Sequence, residues 1–531
     1  MKALIIGLDG ATWEVFDDSL LENHMPNLNR LKNSGYSGVL RSTYPPITSA
    51  AWTSCITGCQ PYKHGIVGFL NFISENNNVP PSSAASCRVP TVWEHLSSQG
   101  YKVASINVPW TYPCRKVNGV MVAGYGVPGM DVEFTYPPEF GRELLDKMPD
   151  YEVVADWDEP KGPYNSQLLE KNLRNVEHRF NQRVEVAQLA YDRFSPDVMM
   201  VQFQNTDRVE HRIFEYVSSR TRDKYPYRDR IYKMYEKLDD CIGRILKLAG
   251  DDNCSIMVVS DHGLCKARAL LRPNAMLYKW GYLKSKPWFG RLVHRLRGKL
   301  EKSGFLKNPS PTIEQKKPVD WKKSKAMVMY PAMLAYVYLN VKGRNKNGCI
   351  SPGEEYDLTI KDLREKFSNV RHPVTNETLF EFVGTPAELY GIENPPKDIL
   401  GDLILIPKFG NHVLHGASRK ADAVKILGDD SVTGTHCYEG IYIFKGPDIR
   451  KSEGPQVHIT DVAPTLMGLL GAELPEYMDG KVVKNAFVRD IEIKYQSGSK
   501  EPPARIQEIK KLTKKEDMEI TKRLAELGYM D

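Results

Sequence analysis

What the chain lacks narrows it first. No apolar run approaches the ~18 residues a membrane-spanning helix needs, and the opening MKALIIGLDG has no apolar core of a secretory signal. Both absences predict a soluble cytoplasmic protein. Nine cysteines, scattered from Cys55 to Cys437 without a CxxC pair, exclude a disulfide framework and a zinc ribbon and read as core thiols. An excess of charge of one sign is missing too. The 72 basic residues against 66 acidic ones leave +6 over 531 residues, too slight to argue for nucleic acid, although it would not repel an anionic substrate. Internal repeats and low-complexity segments are absent, so the chain reads as globular.

What is present is enough apolar residue, 41%, to bury a large core in one elaborated domain or two to three smaller ones. Ala3 to Leu8 is a continuous apolar run ending at Asp9-Gly10, the pattern of a buried parallel strand followed by a tight turn. Val103 to Val108, Asp197 to Phe203 and Cys254 to Ser260 repeat it, with helical stretches between them at Leu168 to Arg193 and Ile231 to Leu248. Such alternation predicts an α/β fold with a mostly parallel sheet.

Beyond His262 the texture changes. Lys284 to Lys325 is dense in Lys and Arg and ends in a Pro-bearing segment, which reads as an inserted, solvated face with no chemistry of its own. Ala335 to Val341 predicts a strand and Glu354 to Phe367 a helix. Sheet character returns at Gly440 to Phe444, and an apolar helix follows over Ile459 to Leu470. The boundaries expected are a core over 1–263, a basic insertion over 264–330, a variable cap-like module over 331–415, the second part of the core over 416–495, and a charged helical tail over 496–531.

Most of the acidic and imidazole groups of interest fall just after predicted strands. Asp9 follows ALIIGL, Asp207 follows MMVQFQNT, and Asp261-His262 follow CSIMVVS. Parallel strands send their carboxyl ends to one edge, where ligands bind, so side chains distant in sequence can converge there. Asp207 and His211 are four apart and share one face if the segment is helical. Taken singly, each has a bland alternative as a turn, a cap or a surface contact. Taken together, with His436 of the loop VTGTHCYEG added, they form the kind of set that holds two divalent cations. Asp with His suits zinc, or alternatively manganese or iron, better than calcium.

One stretch remains, PPITSAAWTSCITGCQPYKHGI from Pro45 to Ile66. The hydroxyls of Thr48, Ser49, Thr53 and Ser54 follow a Pro-Pro where a helix is about to start, which suits helix capping or chemistry. LIIGLDG, this stretch, NTDRVEH, VVSDHG, GTHCYEG and HITDVAPTLMGLLG occur in the order found in the alkaline phosphatase superfamily. The chain most closely resembles its type I phosphodiesterase/nucleotide pyrophosphatase-like branch, over residues 1 to about 480. The resemblance implies an alkaline-phosphatase-like core with inserted cap segments. It further implies one metal on Asp207, His211 and His436 and another on Asp9, Asp261 and His262. Thr48 is implied as the nucleophile that also reaches the metals, with Ser49 the second candidate and Thr53 and Ser54 ordinary helix residues.

Two departures bear on the substrate. Nucleotide pyrophosphatases usually carry an Asn shortly after the HG of this motif, but the register here holds Phe69, with Asn71 the candidate substitute for contacting a phosphate oxygen. Cys59-Gln60-Pro61-Tyr62-Lys63 imitates the sulfatase motif but ends in Lys and falls after Thr57-Gly58, so Cys59 reads as a structural thiol. The resulting expectation is a metal-dependent phosphoester hydrolase, diesters before monoesters, acting on a phosphorylated small molecule. The alternatives are a phosphomonoesterase using Lys63, Lys266 or Arg268, a phosphoryl-group transferase, and a non-catalytic binding protein.

Overall fold

Alternation along Ala3–Leu8 sets the architecture. This strand, β1, is buried along its whole length, with Leu4, Ile6 and Leu8 in one apolar cluster and Ala3 and Ile5 in another. Successive side chains point to opposite faces, so a strand covered on both sides must be apolar throughout. The computed structural model describes residues 1–70, 81–160, 164–250, 253–285, 319–329, 333–408, 410–413, 422–428, 431–503 and 512–526. Residues 286–318 of the basic stretch, 504–511 and 527–531 of the tail, and Asn71 lie outside the described residues.

Contacts gather the chain into two units. The first comprises 1–66, 83–266 and 431–513. Its sheet contains β1, β2 (Tyr36–Arg41), β3 (Val103–Ile106), β4 (Gly119–Val122), β5 (Thr135–Tyr136), β6 (Val198–Phe203), β7 (Ser255–Val259), the Glu439–Lys445 strand, and short strands at Ser452–Glu453 and Val457–His458. The order from Ser452–Glu453 runs β2, Glu439–Lys445, β7, β1, β6, β3, β4, β5. β1 is parallel to β6 and β7, and β3 is parallel to β6 and β4, whereas Glu439–Lys445 runs antiparallel to β2 and β7. This is the mixed α/β fold with a mostly parallel central sheet that the sequence predicts.

Helices cover both faces. Ser166–Phe194 and Arg228–Leu248 bury Leu169, Leu173, Val176 and Phe180, and Ile231, Met234, Leu238 and Ile242, at the three- and four-residue spacing of an amphipathic face. Thr48–Thr57, Val92–Ser98 and Val462–Leu469 cover the opposite face with Trp52, Trp93 and Leu466. Several expected elements differ at their ends, among them the strand expected over Ala335 to Val341, which ends at Leu339, and two show the cause. β3 stops at Ile106 because Asn107 takes φ 57 and turns its Nδ2 to the Ala123 carbonyl at 2.9 Å. The stretch from Ile459 begins as a 3-10 turn, Ile459–Asp461, under a capping box from His458, before Val462–Leu469 continues as an α-helix.

The second unit comprises 67–82, 267–430 and 514–531. A four-stranded antiparallel sheet runs in the order Ala326–Met329, Ala335–Leu339, Leu403–Pro407, Phe380–Gly384, and a three-stranded one pairs Ala269–Leu271 with Asn411–Val413 and Val424–Ile426. Its core includes Leu271, Leu277, Val337, Leu363, Phe367 and Leu405. Among the described residues, no helix is long and apolar enough to cross a membrane.

Gly7 lets the sheet approach its covering helix closely. A Cβ built there would lie 2.7 Å from Trp52 Cη2 and 3.1 Å from Gln202 Cγ. Gly7→Val is expected to cost about 1–3 kcal/mol through overpacking, read as a lower thermal unfolding midpoint. An unchanged midpoint would show that the Trp52 helix can withdraw from β1 freely.

Candidate metal centre

The parallel strands deliver their carboxylates to one edge. Asp9 leaves β1, Asp207 lies in the helix Asn205–Val217 that follows β6, and Asp261-His262 follow β7. Gly10 makes the turn after β1 possible. It takes φ +71, a Cβ there would meet Leu264 Cδ1 at 2.4 Å, and its N–H donates to Asp261 Oδ1 at 3.1 Å. His436 arrives from the far end of the sequence on the strand Gly434–Cys437. That strand pairs antiparallel with β8 (Gly263–Lys266), placing His436 opposite Leu264.

Two groups of converging donor atoms result, each within 4.8 Å: Asp207, His211 and His436, and Asp9, Asp261 and His262. In the first, Asp207 Oδ1 lies 3.2 Å from His211 Nε2 and 3.4 Å from His436 Nε2, and the two Nε2 atoms are 2.6 Å apart. In the second, His262 Nε2 lies 3.1 Å from Asp261 Oδ2 and 3.8 Å from Asp9 Oδ1. The groups adjoin, because the His262 and His436 rings stack with centroids 3.6 Å apart. Only His211 keeps an appreciable share of its side chain exposed, 18%.

The outer contacts orient these donors. Nδ1 of His211 meets the Gly434 carbonyl at 3.2 Å, Nδ1 of His436 the Pro46 carbonyl at 2.7 Å, and Nδ1 of His262 the Gly263 carbonyl at 3.2 Å. A carbonyl only accepts, so each Nδ1 carries the proton and each Nε2 presents a lone pair. Trp52 Nε1 and Gln202 Nε2 both donate to Asp9 Oδ2 at 2.7 Å, which leaves Oδ1 turned inward. Asp9 Oδ1 and Asp261 Oδ2 are buried and accept no hydrogen bond.

Electrostatics give the same picture. Burial, and beyond it the charges of Asp261 and Asp207, push Asp9 well above the usual carboxylate range. Burial does the same to Asp261. Burial also opposes the charge on Asp207, and its carboxyl is held well below its ordinary value where His211 and His436 carry a proton toward it, the place that a cation takes when bound. Burial lowers both His262 and His436. Bare lone pairs 2.6 Å apart and buried carboxylate oxygens with no donor call for cations among them, and the oxygen and nitrogen donors present fit divalent metals.

Thr48 is the first residue of the helix Thr48–Thr57. Its N-cap is Ile47 and no side chain caps it, so the hydroxyl is not spent on the helix end. Thr48 Oγ1 lies 3.5 Å from His262 Nε2, and the residue is wholly buried. The neighbouring hydroxyls serve otherwise. Thr53 Oγ1 donates to the Ser49 carbonyl at 2.7 Å and Ser54 Oγ meets His64 Nε2 at 2.9 Å. Ser49 Oγ is buried with no hydrogen-bond partner. Cys59 is a buried free thiol whose pKa burial raises. Lys63 is tied to Asp479 and the Tyr477 carbonyl.

Sequence reasoning did not identify Trp52, Gln202 or Glu210. Gln202 had a signal, a lone amide inside the apolar run MMVQF. Glu210 is fully buried between Asp207 and His211 in sequence, and burial and then Asp207 push its carboxyl well above its usual range.

Comparisons with known proteins bear on the family and the fold. The sequence model described as type I phosphodiesterase / nucleotide pyrophosphatase matches residues 3–439. Among solved structures, human ectonucleotide pyrophosphatase / phosphodiesterase 5 shares 14% identity at a TM-score of 0.54, covering 92% of this chain and 100% of that one. Phosphonoacetate hydrolase from Sinorhizobium meliloti 1021, in complex with phosphonoformate, shares 16% at 0.53, covering 89% and 95%. An inactive murine ectonucleotide pyrophosphatase / phosphodiesterase 5 in complex with AMP shares 15% at 0.51, covering 92% and 100%. At these identities the structures show a shared fold. Comparison with curated protein sequences returns no match.

Two outcomes are expected. Without metal, Asp9 and Asp261 hold protons at low pH; the stability this gives is lost as pH rises through their raised pKa values, whereas bound cations displace those protons. The gap in melting temperature between metal-loaded and chelator-stripped protein should therefore widen from pH 5.5 to pH 8. A gap that stays constant or closes would contradict the site. Trp52→Phe removes one of the two donors to Asp9 Oδ2 and should weaken metal binding about 10-fold or more, measured by metal titration.

Proposed function

The chain belongs to the type I phosphodiesterase / nucleotide pyrophosphatase family, and on that premise we propose that it is a metal-dependent phosphodiesterase with Thr48 as its nucleophile. The observation that carries this reading is the Thr48 hydroxyl, uncapped, at the start of a helix and 3.5 Å from His262 in a site of six buried or half-buried donors.

In this reading Asp207, His211 and His436 would hold one cation and Asp9, Asp261 and His262 the other, beside the Thr48 hydroxyl. When bound, two divalent ions, zinc by the donor set with manganese or iron as alternatives, supply the positive charge that offsets the attacking and leaving oxygens of an in-line displacement. Thr48 Oγ1 gives its proton to solvent and bonds to phosphorus as the bond from phosphorus to the leaving oxygen breaks, and that oxygen takes a proton from solvent to depart as the alcohol. Water then cleaves the phosphothreonine, releasing a monoester and returning the hydroxyl. The free N–H groups of the Thr48–Thr57 helix favour the negative charge that gathers at its N-terminus.

The occupant proposed is a phosphorylated small molecule, in keeping with the AMP held by the murine relative. A phosphomonoesterase needs further positive groups at the terminal oxygens, and Lys63 is engaged with Asp479 instead. Nine unpaired cysteines favour the cytoplasm as the compartment.

Metal analysis of the purified protein, paired with turnover of bis-p-nitrophenyl phosphate and p-nitrophenyl phosphate, tests the proposal. About two transition-metal ions per chain and faster diester turnover are expected, with Thr48→Ala lowering diester kcat by about a thousandfold or more. A Thr48→Ala variant as active as wild type would sink the threonine mechanism, and a chain inert with metals loaded would sink the hydrolase reading.

A further inference from the structure

Arg41 ends β2, which runs parallel to β7 in space across the Glu439–Lys445 strand and so finishes at the edge that carries the metal ligands. The antiparallel register pairs Arg41 with Glu439. Two functional segments, a loop and a strand, part from the sheet at this pair. One leads forward from Arg41 through Tyr44 and Pro46 to Thr48, and the other leads back from Glu439 through Tyr438 to His436.

The Arg41 side chain joins the two. Its Nη1 donates to Glu439 Oε1 at 2.6 Å and its Nη2 to Tyr44 OH at 3.0 Å. Its guanidinium carbon lies over the Tyr438 ring, 4.4 Å from the centroid, and 5.7 Å from that of Tyr44, while the two rings stand 4.9 Å apart. Around this cluster the backbone is cross-linked. Ser42 N donates to the Tyr438 carbonyl at 2.8 Å, Ser42 Oγ to the Asp261 carbonyl at 2.5 Å, and His436 Nδ1 to the Pro46 carbonyl at 2.7 Å.

We propose that Arg41 is a positioning residue for the reaction, clamping the loop that leads to Thr48 to the strand that presents His436. The proposal rests on the threonine-nucleophile reading given above. The planar fork matters because it must reach a carboxylate and a phenol in two directions while its face stacks on Tyr438, which a lysine ammonium cannot do. Both donor ends face protein partners, so the guanidinium acts through these two segments. An exposed Arg–Glu pair alone would contribute little, but stacking on the half-buried Tyr438 and the hydrogen bond to Tyr44 hold this one in a single geometry. Displacements of about 1 Å at a nucleophile can cost on the order of 100-fold in rate.

Arg41→Ala and Arg41→Lys are compared with wild type for diester kcat, KM, bound metal and the visible spectrum of the cobalt(II)-substituted protein. Arg41→Ala should lower kcat about 10- to 100-fold with KM and metal content within about twofold of wild type. Arg41→Lys should stay low, and millimolar guanidinium should partly restore the Ala variant. A rise in KM at constant kcat overturns the proposal in favour of a substrate contact. Loss of metal and of the melting transition without rescue overturns it in favour of a merely structural role, and unchanged kcat overturns it outright. If wild type turns over no ester, the proposed function falls and the cobalt spectra decide alone. A band shifted by Arg41→Ala supports the clamp on His436, and identical spectra reject it.

Discussion

Everything at the sheet edge answers to one electrostatic demand, that Asp9, Asp207 and Asp261 lie buried within reach of one another. Three carboxylates out of water repel, and each pays a desolvation penalty that neighbouring imidazoles relieve only for Asp207. Cations relieve this, but the unloaded site must still be held together against its own repulsion. Rigid attachment does this. Each carboxylate sits within a few residues of the end of a strand in the centre of a ten-stranded sheet, where β1 pairs with β6 on one side and β7 on the other.

The rigidity comes from outside the ligands. Asp9 is fixed by Trp52 and Gln202, and those two side chains also close the space above Gly7. One packing contact therefore serves both the core and the site. The helix that supplies Trp52 begins with Thr48, so the covering helix, the Asp9 carboxylate and the nucleophilic hydroxyl of the proposed reaction move as one piece. A change in sheet-to-helix spacing would be felt as a change in site geometry.

Much of this was legible in the sequence, for a physical reason. Buried parallel strands must be apolar along their length, so β1, β6 and β7 stand out, and the residues just after each are brought to the carboxyl edge by topology. That is why Asp9, Asp261 and His262 could be read without coordinates, and Asp207 and His211 once a helix is assumed. His436 was legible only by family pattern, because its place depends on Gly434–Cys437 pairing with β8 across the second unit's sequence. The carbonyls of Pro46, Gly263 and Gly434 were not legible at all, since every residue has a carbonyl and only the fold selects three. Strand ends erred where a single residue broke the pattern, as Asn107 does with its positive φ. The strand order of the second unit, where Leu403–Pro407 lies between Ala335–Leu339 and Phe380–Gly384, is not a sequential one and carries no periodic signal.

The hydroxyl-rich helix start shows how context divides like residues. Thr53 and Thr57 satisfy themselves on the preceding turn, Ser54 takes His64, and only Thr48 and Ser49 are spared those duties. Helix geometry explains the division. A residue at the first turn has no carbonyl four positions back within the helix to bond, so its hydroxyl is available to what lies beyond the N-terminus. At Thr48 what lies beyond is His262, and at the same helix end the unbonded N–H groups raise the local potential. Position one of a capless helix is thus the place where an alcohol is least committed to the fold and most exposed to a field that favours its anion. That favours Thr48 over the hydroxyls deeper in the helix, and the contact with His262 favours it over Ser49.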